Sequence, residues 1–405
     1  MVKGFLQDLG YAYGMFTLII FIAVLAVLVL SHEFGHFIVA RSCGIKVEEF
    51  GFGFPPRLIG IRRLRFGGKS RWEIIWSKRQ LEQTLEHEHT STIYSINLIP
   101  LGGFVKIKGE NSEDETAHDV DSFSSKKIWQ KAAVLIAGVA LNFVLAAALL
   151  SVGYMIGIPS FGDEAGPNSN LLIADILPDK PAALAGLLVG DKIIKIDAIE
   201  HASVSQFQSY LNSHRAEQIM FTIEREGKII LKNIQPAPLE NDKYGIGVAI
   251  LPEGKIQYPW YRAIYEGTVN AGKYLVMIFV GLWSLLRGLF SGANMDGAVA
   301  GPVGVAVLTG EAARLGFVYL LQLTALLSLN LAAVNILPIP ALDGGRLFFV
   351  LWGGIFRKSI APRIEQIIHT VGFVLLLFLI VLVTVKDIGS YGGAFTLWWN
   401  NFFRF

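Results

Sequence analysis

One cysteine, Cys43, is all that 405 residues contain. An intrachain disulfide framework is therefore excluded, as is any zinc site built of several thiolates, so a metal would have to be held by histidine and carboxylate. Charge is scarce too: Asp, Glu, Lys and Arg make up 17% of the chain, against roughly 25% in ordinary soluble domains. Neither sign dominates, the net charge being +2, and no basic run is interleaved with aromatics, which argues against nucleic acid as a partner. The 42 glycines follow no fixed period and stand among strongly apolar segments, so collagen-like and disordered readings also fail.

What the sequence does have is long uncharged apolar runs. A membrane-crossing helix needs about 20 such residues, because only a helix satisfies its own backbone inside hydrocarbon. Leu9 to Ser31, Ala132 to Gly162 and Leu315 to Leu342 qualify, and Thr370 to Val385 qualifies when extended back to Gln366. No small-x-small cleavage site follows Leu30, so the first run reads as a retained helix rather than a signal peptide. Tyr274 to Leu286, bracketed by Lys273 and Arg287, is too short to span and is expected to lie along the interface. Basic side chains outnumber acidic ones across 41–131 and the balance reverses across 163–258, which places the first loop in the cytoplasm and the second outside. Both termini then lie outside.

Residues 170–250 change character. Leu171 to Leu177, Lys192 to Asp197, Ile219 to Arg225 and Lys228 to Lys232 alternate as strands, with helical pieces at Pro181 to Ala185 and Ser205 to Ser213. The run Pro178-Asp-Lys-Pro-Ala-Ala-Leu-Ala-Gly-Leu-Leu-Val-Gly-Asp-Lys-Ile-Ile-Lys-Ile-Asp197 resembles the central stretch of bacterial PDZ domains, which bind extended peptide by adding it as a strand to a sheet edge.

The chemistry is concentrated in His32-Glu33-Phe34-Gly35-His36, at the end of the first span. Residues four apart share a helix face, so His32 and His36 can present imidazoles to one ion with Glu33 within reach of a bound water. Ionisable groups in or beside an apolar helix are expensive without a function. A catalytic zinc usually takes three protein ligands, which leaves these two histidines one short. The histidines at 87, 89, 118, 201, 214 and 369 lie in loops, in the outer domain or at the edge of the last span. Asp343 is the better third ligand, a carboxylate at the end of the third span just after Pro338 and Pro340 break the helix. It meets the histidines only if Tyr274 to Leu286 does not cross.

Together these features resemble the site-2 protease family of intramembrane zinc metalloproteases, in its bacterial regulator-of-sigma-E protease branch. The resemblance rests on the histidine motif and on Cys43-Gly-Ile-Lys-Val-Glu-Glu-Phe-Gly-Phe-Gly53, Ile99-Pro-Leu-Gly-Gly-Phe-Val-Lys106, Gly138-Val-Ala-Leu-Asn142, the PDZ run, Gly301-Pro-Val-Gly304 and Asn335 through Gly345. It departs at Val139, where many members have proline, at Arg346, where some have histidine, and in carrying one PDZ domain where some carry two. It implies Zn2+ on His32, His36 and Asp343, Glu33 as catalytic base, and a role in substrate handling for Asn335. It implies a place in the bacterial cytoplasmic membrane, with the PDZ domain extracytoplasmic and the zinc site toward the cytoplasm. The implied substrates are single-span membrane proteins in the bilayer, such as an anti-sigma factor or signal-peptide remnants.

The expected architecture is a polytopic α-helical membrane protein with four transmembrane helices, membrane-associated β-hairpin or sheet elements and one PDZ domain. Its parts are a first span with the zinc motif over 1–40, a cytoplasmic loop with a membrane-dipping β element over 41–131 and a second span over 132–162. The PDZ domain follows over 163–258, then an interfacial helical linker over 259–314, a third span with Asp343 over 315–345, and a turn, fourth span and tail over 346–405. Phe50, Phe52 and Phe54 alternate with Gly51 and Gly53, a period-two ribbon suited to pairing with an extended substrate, with Gly103 on a neighbouring strand. Asn142 is expected to brace the helices or to hydrogen-bond near the site. Glu110 to Asp121 reads as a solvated loop, and Cys43 as a packing residue. A different class of function, a membrane-anchored PDZ adaptor with a vestigial metal motif, would retain the helices and lose the chemistry.

Overall fold

The first apolar run does not stop at the histidine motif. Val2–Ser42 is one helix, α1, and its end is set by Gly44, which takes the left-handed φ of +68°. Gly44 N–H then bonds Arg41 O at 3.0 Å and Ile45 N–H bonds Ala40 O at 2.9 Å, which satisfies carbonyls the helix would otherwise leave unpaired. The motif therefore sits well inside the helix, with nearly two turns beyond His36. The computed structural model describes residues 2–66, 69–76, 91–110, 119–161, 170–200, 203–215, 217–225, 227–238, 244–291, 300–357 and 361–390.

The turn at Gly44 sends the chain back as β1 (Val47–Phe66), which pairs antiparallel with β2 (Lys69–Ile75) and β3 (Ile93–Ile107) in the order β2-β1-β3. Phe50 lies opposite Val105 and Phe52 opposite Gly103. Alternation splits the sheet into two faces. Arg62, Ile75, Ser95 and Asn97 are buried, whereas Ile61, Trp72, Ile74, Tyr94 and Ile96 are exposed. An apolar face of this kind is a liability in water and suits a lipid boundary, where tryptophan and tyrosine collect.

Helix α2 (Ile128–Ile156) follows and leads into the second of two compact units, Val152–Ala263. Its sheet runs β4 (Ile158–Phe161), β12 (Val248–Ile256), β5 (Asn170–Ile176), β6 (Lys192–Ile196), β8 (Ile219–Arg225), β9 (Lys228–Ile234), with β7 (Ile199–Glu200) paired to β6. Strands β10 (Ala237–Pro238) and β11 (Tyr244–Gly245) form a separate ribbon. A short helix α3 (Pro181–Leu184) has proline at its first position, and α4 (Val204–Ser213) is closed by a capping box between Ser203 and Gln206. Leu171, Ile173, Ile196, Phe207, Phe221 and Ile223 fill the core; β5, β6, β8, β9 and the two short helices fall where alternation and capping residues predict them, while β4, β7 and β10 to β12 are further strands that the alternation does not announce.

The remaining helices belong to the first unit from Ile264 onward: α5 (Trp260–Ser291), α6 (Pro302–Leu315), α7 (Phe317–Asn335), α8 (Asp343–Phe356) and α9 (Pro362–Ser390). Among the described residues, five helices rather than four are long and apolar enough to cross a membrane. The fifth is α5, which corrects the reading of Tyr274 to Leu286 as a short segment, so the meeting of Asp343 with the histidines does not depend on a segment too short to cross. Arg262, Glu266, Lys273 and Arg287 interrupt the apolar run but not the helix, which is amphipathic and rises about 48 Å. The third span also ends earlier than expected, at Asn335. Asp343 is the first residue of α8 rather than the last of a span.

Candidate metal centre

Two helices cross at the histidine motif because neither has a side chain in the way. A Cβ on Gly35 of α1 would lie 2.3 Å from Ala137 O, and one on Gly138 of α2 would lie 2.5 Å from His36 Nε2 and 2.7 Å from His32 Cε1. The imidazoles thus occupy the space that Gly138 leaves open. His36 Nδ1 donates to Val134 O at 2.8 Å, which puts its proton on Nδ1 and leaves the Nε2 lone pair for a ligand.

Asp343 arrives from the far end of the sequence through a tight turn. After α7 the backbone reaches Ala341 in the left-handed region, φ +76°, and Ala341 N–H donates to His369 Nδ1 of α9 at 2.9 Å. Gly344 and Gly345 let the first turn of α8 press against carbonyls of Ile336, Leu337 and Ile339, where a Cβ would come within 2.2–2.4 Å. The outcome is that Asp343 Oδ2 lies 2.8 Å from His32 Nε2 and 3.3 Å from His36 Nε2, and the two Nε2 atoms are 3.2 Å apart. A tetrahedral ion about 2.0 Å from each donor needs donors about 3.3 Å apart. The three residues form a group able to hold a metal, and the donor set of two imidazoles and one carboxylate is of the zinc type.

Glu33, His36 and Asp343 open on a cavity of about 760 Å³, whose walls include Phe54, Gly103, Phe104, Val105, Arg346 and His369. Gly103 lies against Glu33: a Cβ there would be 3.7 Å from Glu33 Cγ. Asn335 Nδ2 is 3.3 Å from His32 Nε2, and Asn142 Nδ2 is 3.3 Å from His32 Nδ1 on the opposite side of the ring. Phe50 is elsewhere, packed on Phe37, Phe34 and Tyr94. Neither Phe50 nor Phe52 lines this cavity, whereas Phe54 does. Glu110, expected in a solvated loop, pairs with Arg346 and lines the cavity; residues 111–118 of that loop lie outside the described residues. Cys43 packs at the edge of an apolar cluster, as expected. His214 bonds Tyr210 within the second unit, and His87, His89, His118 and His201 lie outside the described residues. Two functional residues stand outside the expected set, Gly138 as a cradle and His369 as the anchor of the Asp343 turn. A glycine on a neighbouring span was the signal for the first, and no sequence signal announces the second.

Comparison with known proteins bears on the whole chain. The model of Peptidase family M50 matches residues 20–76 and 80–379. The chain belongs to peptidase family M50. Relatives include the "Putative zinc metalloprotease" of Clostridium perfringens, 33% identical over 377 residues that cover 93% of this chain and 98% of that one. Another is the zinc metalloprotease RasP of Geobacillus kaustophilus, 28% identical, covering 93% and 98%. Among solved structures, the PDZ domain of an SdrC-like protein from Listeria monocytogenes is 24% identical and covers 20% of this chain and 87% of that one, with a TM-score of 0.19. As an M50 member the chain is a zinc metalloprotease, and its apolar helices make it a multi-pass membrane protein.

Proposed function

We propose that this M50 protease hydrolyses a peptide bond within or near the transmembrane segment of single-span membrane proteins, such as an anti-sigma factor or a remnant signal peptide. The observation that carries the reading is the meeting of His32 and His36 with Asp343, 311 residues away from His32, on and beside helices apolar enough to lie in a bilayer. His32, His36 and Asp343 would hold Zn2+, which would supply a Lewis acid that polarises a carbonyl and lowers the pKa of water toward neutrality.

The chain's own residues do the rest. Glu33 accepts the proton of the attacking water as its oxygen bonds the scissile carbon, then delivers that proton to the amine as the C–N bond breaks. Asn335, whose amide N–H lies beside the ligand face of His32, is placed to donate to the substrate carbonyl. A helical substrate hides its backbone, so cleavage needs an extended one. Gly103, Phe104 and Val105 of β3 line the cavity, and their extended backbone is the natural partner for an unwound segment. The exposed apolar face of the sheet supports a position dipping into the membrane. Positive-inside bias puts the metal centre toward the cytoplasm and the second unit outside, where its PDZ-like order of strands and helices suits a size filter or docking site.

The test is Glu33→Gln. Purified mutant should keep stoichiometric zinc and lose cleavage of a model transmembrane peptide by about 10²-fold or more. Protein that carries no zinc and cleaves nothing would instead leave a membrane-anchored adaptor, and a mutant that cleaves as well as the parent would remove Glu33 from the mechanism.

A further inference from the structure

We propose that the carboxamide of Asn142 determines which nitrogen of His32 carries the proton, and so makes Nε2 the metal-binding atom. This rests on the zinc reading above and goes beyond it, since it gives Asn142 a positioning role on a ligand rather than contact with substrate.

The Asn142 amide and a metal-bound His32 are mismatched. Asn142 is wholly buried, 0% exposed, and its amide faces His32 Nδ1 at 3.3 Å, while its Oδ1 has no hydrogen-bond partner among the described residues. Neutral imidazole has one N–H and one lone pair. If Nε2 of His32 gives its lone pair to a metal, the proton must sit on Nδ1, and the atom facing Nδ1 must be an acceptor. The –NH2 group of Asn142 is not one. Turning the carboxamide half a revolution about Cβ–Cγ exchanges the two atoms in nearly the same volume, so that Oδ1 accepts from Nδ1–H. One buried atom is left unpartnered in either orientation, so the turn costs no hydrogen bond.

The arrangement then matches that of His36, whose Nδ1–H is already held by an oxygen, Val134 O. One imidazole is oriented by a main-chain carbonyl and the other by a side-chain carbonyl, both supplied by α2. The Asn142 backbone is itself fixed, because its carbonyl accepts from Ser328 Oγ of α7 at 2.8 Å. A carboxamide at this point of α2 therefore serves the ligand geometry and not only helix packing. Partners of this kind on ligating histidines are generally worth 10–100-fold in metal affinity.

The experiment measures zinc affinity of the full-length detergent-solubilised protein by competition with a chelator, with the zinc counted by mass spectrometry and folding followed by thermal melting. Asn142→Leu, alike in branching and without an acceptor, should bind zinc 10–100-fold more weakly. Asn142→Asp, which can accept, should bind within about 3-fold of the parent or more tightly. In zinc-loaded parent protein, the nitrogen NMR shifts of His32 should report a proton on Nδ1. Should Asn142→Leu unfold, Asn142→Ala takes its place in the comparison. Equal affinity in the acceptor-free variant and the parent overturns the proposal, as does an Asn142→Asp variant that loses as much as Asn142→Leu. Parent protein that binds no zinc would sink the metalloprotease reading as well, so the two failures are distinguishable.

Discussion

Gly138 is where one hydrogen atom decides whether the centre exists. A methyl group there would have to occupy the space of His36 Nε2, 2.5 Å away, and the helices could accommodate it only by separating. Gly138→Ala is expected to lower zinc content at least tenfold and to abolish proteolysis, measured by metal analysis on folded protein. Gly272 on α5 has nothing within 4 Å of a would-be Cβ, so Gly272→Ala should leave zinc unchanged and add about 0.5–1 kcal/mol of helix stability. Elsewhere, burial alone would raise the Asp191 carboxyl, but the Arg225 guanidinium and the Leu188 N–H outweigh it and hold Asp191 below its ordinary value. The carboxylate accepts from Arg225 Nε at 2.7 Å and from Leu188 N–H at 2.9 Å. A depressed carboxyl contributes stability that is complete above its unfolded pKa of about 3.9 and is lost as pH falls through the lower folded value. The protection of β5, β6 and β8 against hydrogen exchange, relative to free amides at the same pH, should therefore fall below about pH 4, and Asp191→Asn should destabilise those strands by about 2 kcal/mol at neutral pH and flatten the dependence.

At the scale of elements, α6 lacks a cap of its own, since its N-cap is Gly301. Asp387 of α9 replaces it, accepting from Gly304 N–H at 2.7 Å, and Gly301 is small enough to let the carboxylate in. Asp387→Ala should cost α6 about 1–2 kcal/mol, seen as faster exchange of the amides at its first turn, while Asp387→Asn should retain most of the cap. This cap was not legible in the sequence, because donor and acceptor stand 83 residues apart. Where an element depends on local pattern, the reading succeeded: β5, β6, β8 and β9 and both short helices of the second unit follow from alternation and capping residues. It fell short at α5, where two charges, Lys273 and Arg287, were read as ends of a run. An amphipathic helix accommodates charges along one face, so they mark its orientation and not its limits.

At the scale of the molecule, the metal centre is built wholly within the first unit, whereas residues 170–250 fold around their own core in the second. Deleting 170–250 should accordingly leave zinc content unchanged while relaxing discrimination between long and pre-trimmed substrates. Unaltered discrimination in a cleavage assay with matched long and short substrates would refute the filter. The sequence by itself determined whatever depends on near neighbours along the chain: apolar runs for helices, a four-residue spacing that puts His32 and His36 on one face, and an alternating domain with its caps. Only the tertiary structure decided the rest. It brought Asp343 to the histidines through a turn anchored on His369, cleared their space at Gly138, set Asn142 behind His32, and put Phe54 rather than Phe50 in the cavity wall. Contacts between distant segments depend on how helices and strands pack across one another, and local pattern does not encode that packing.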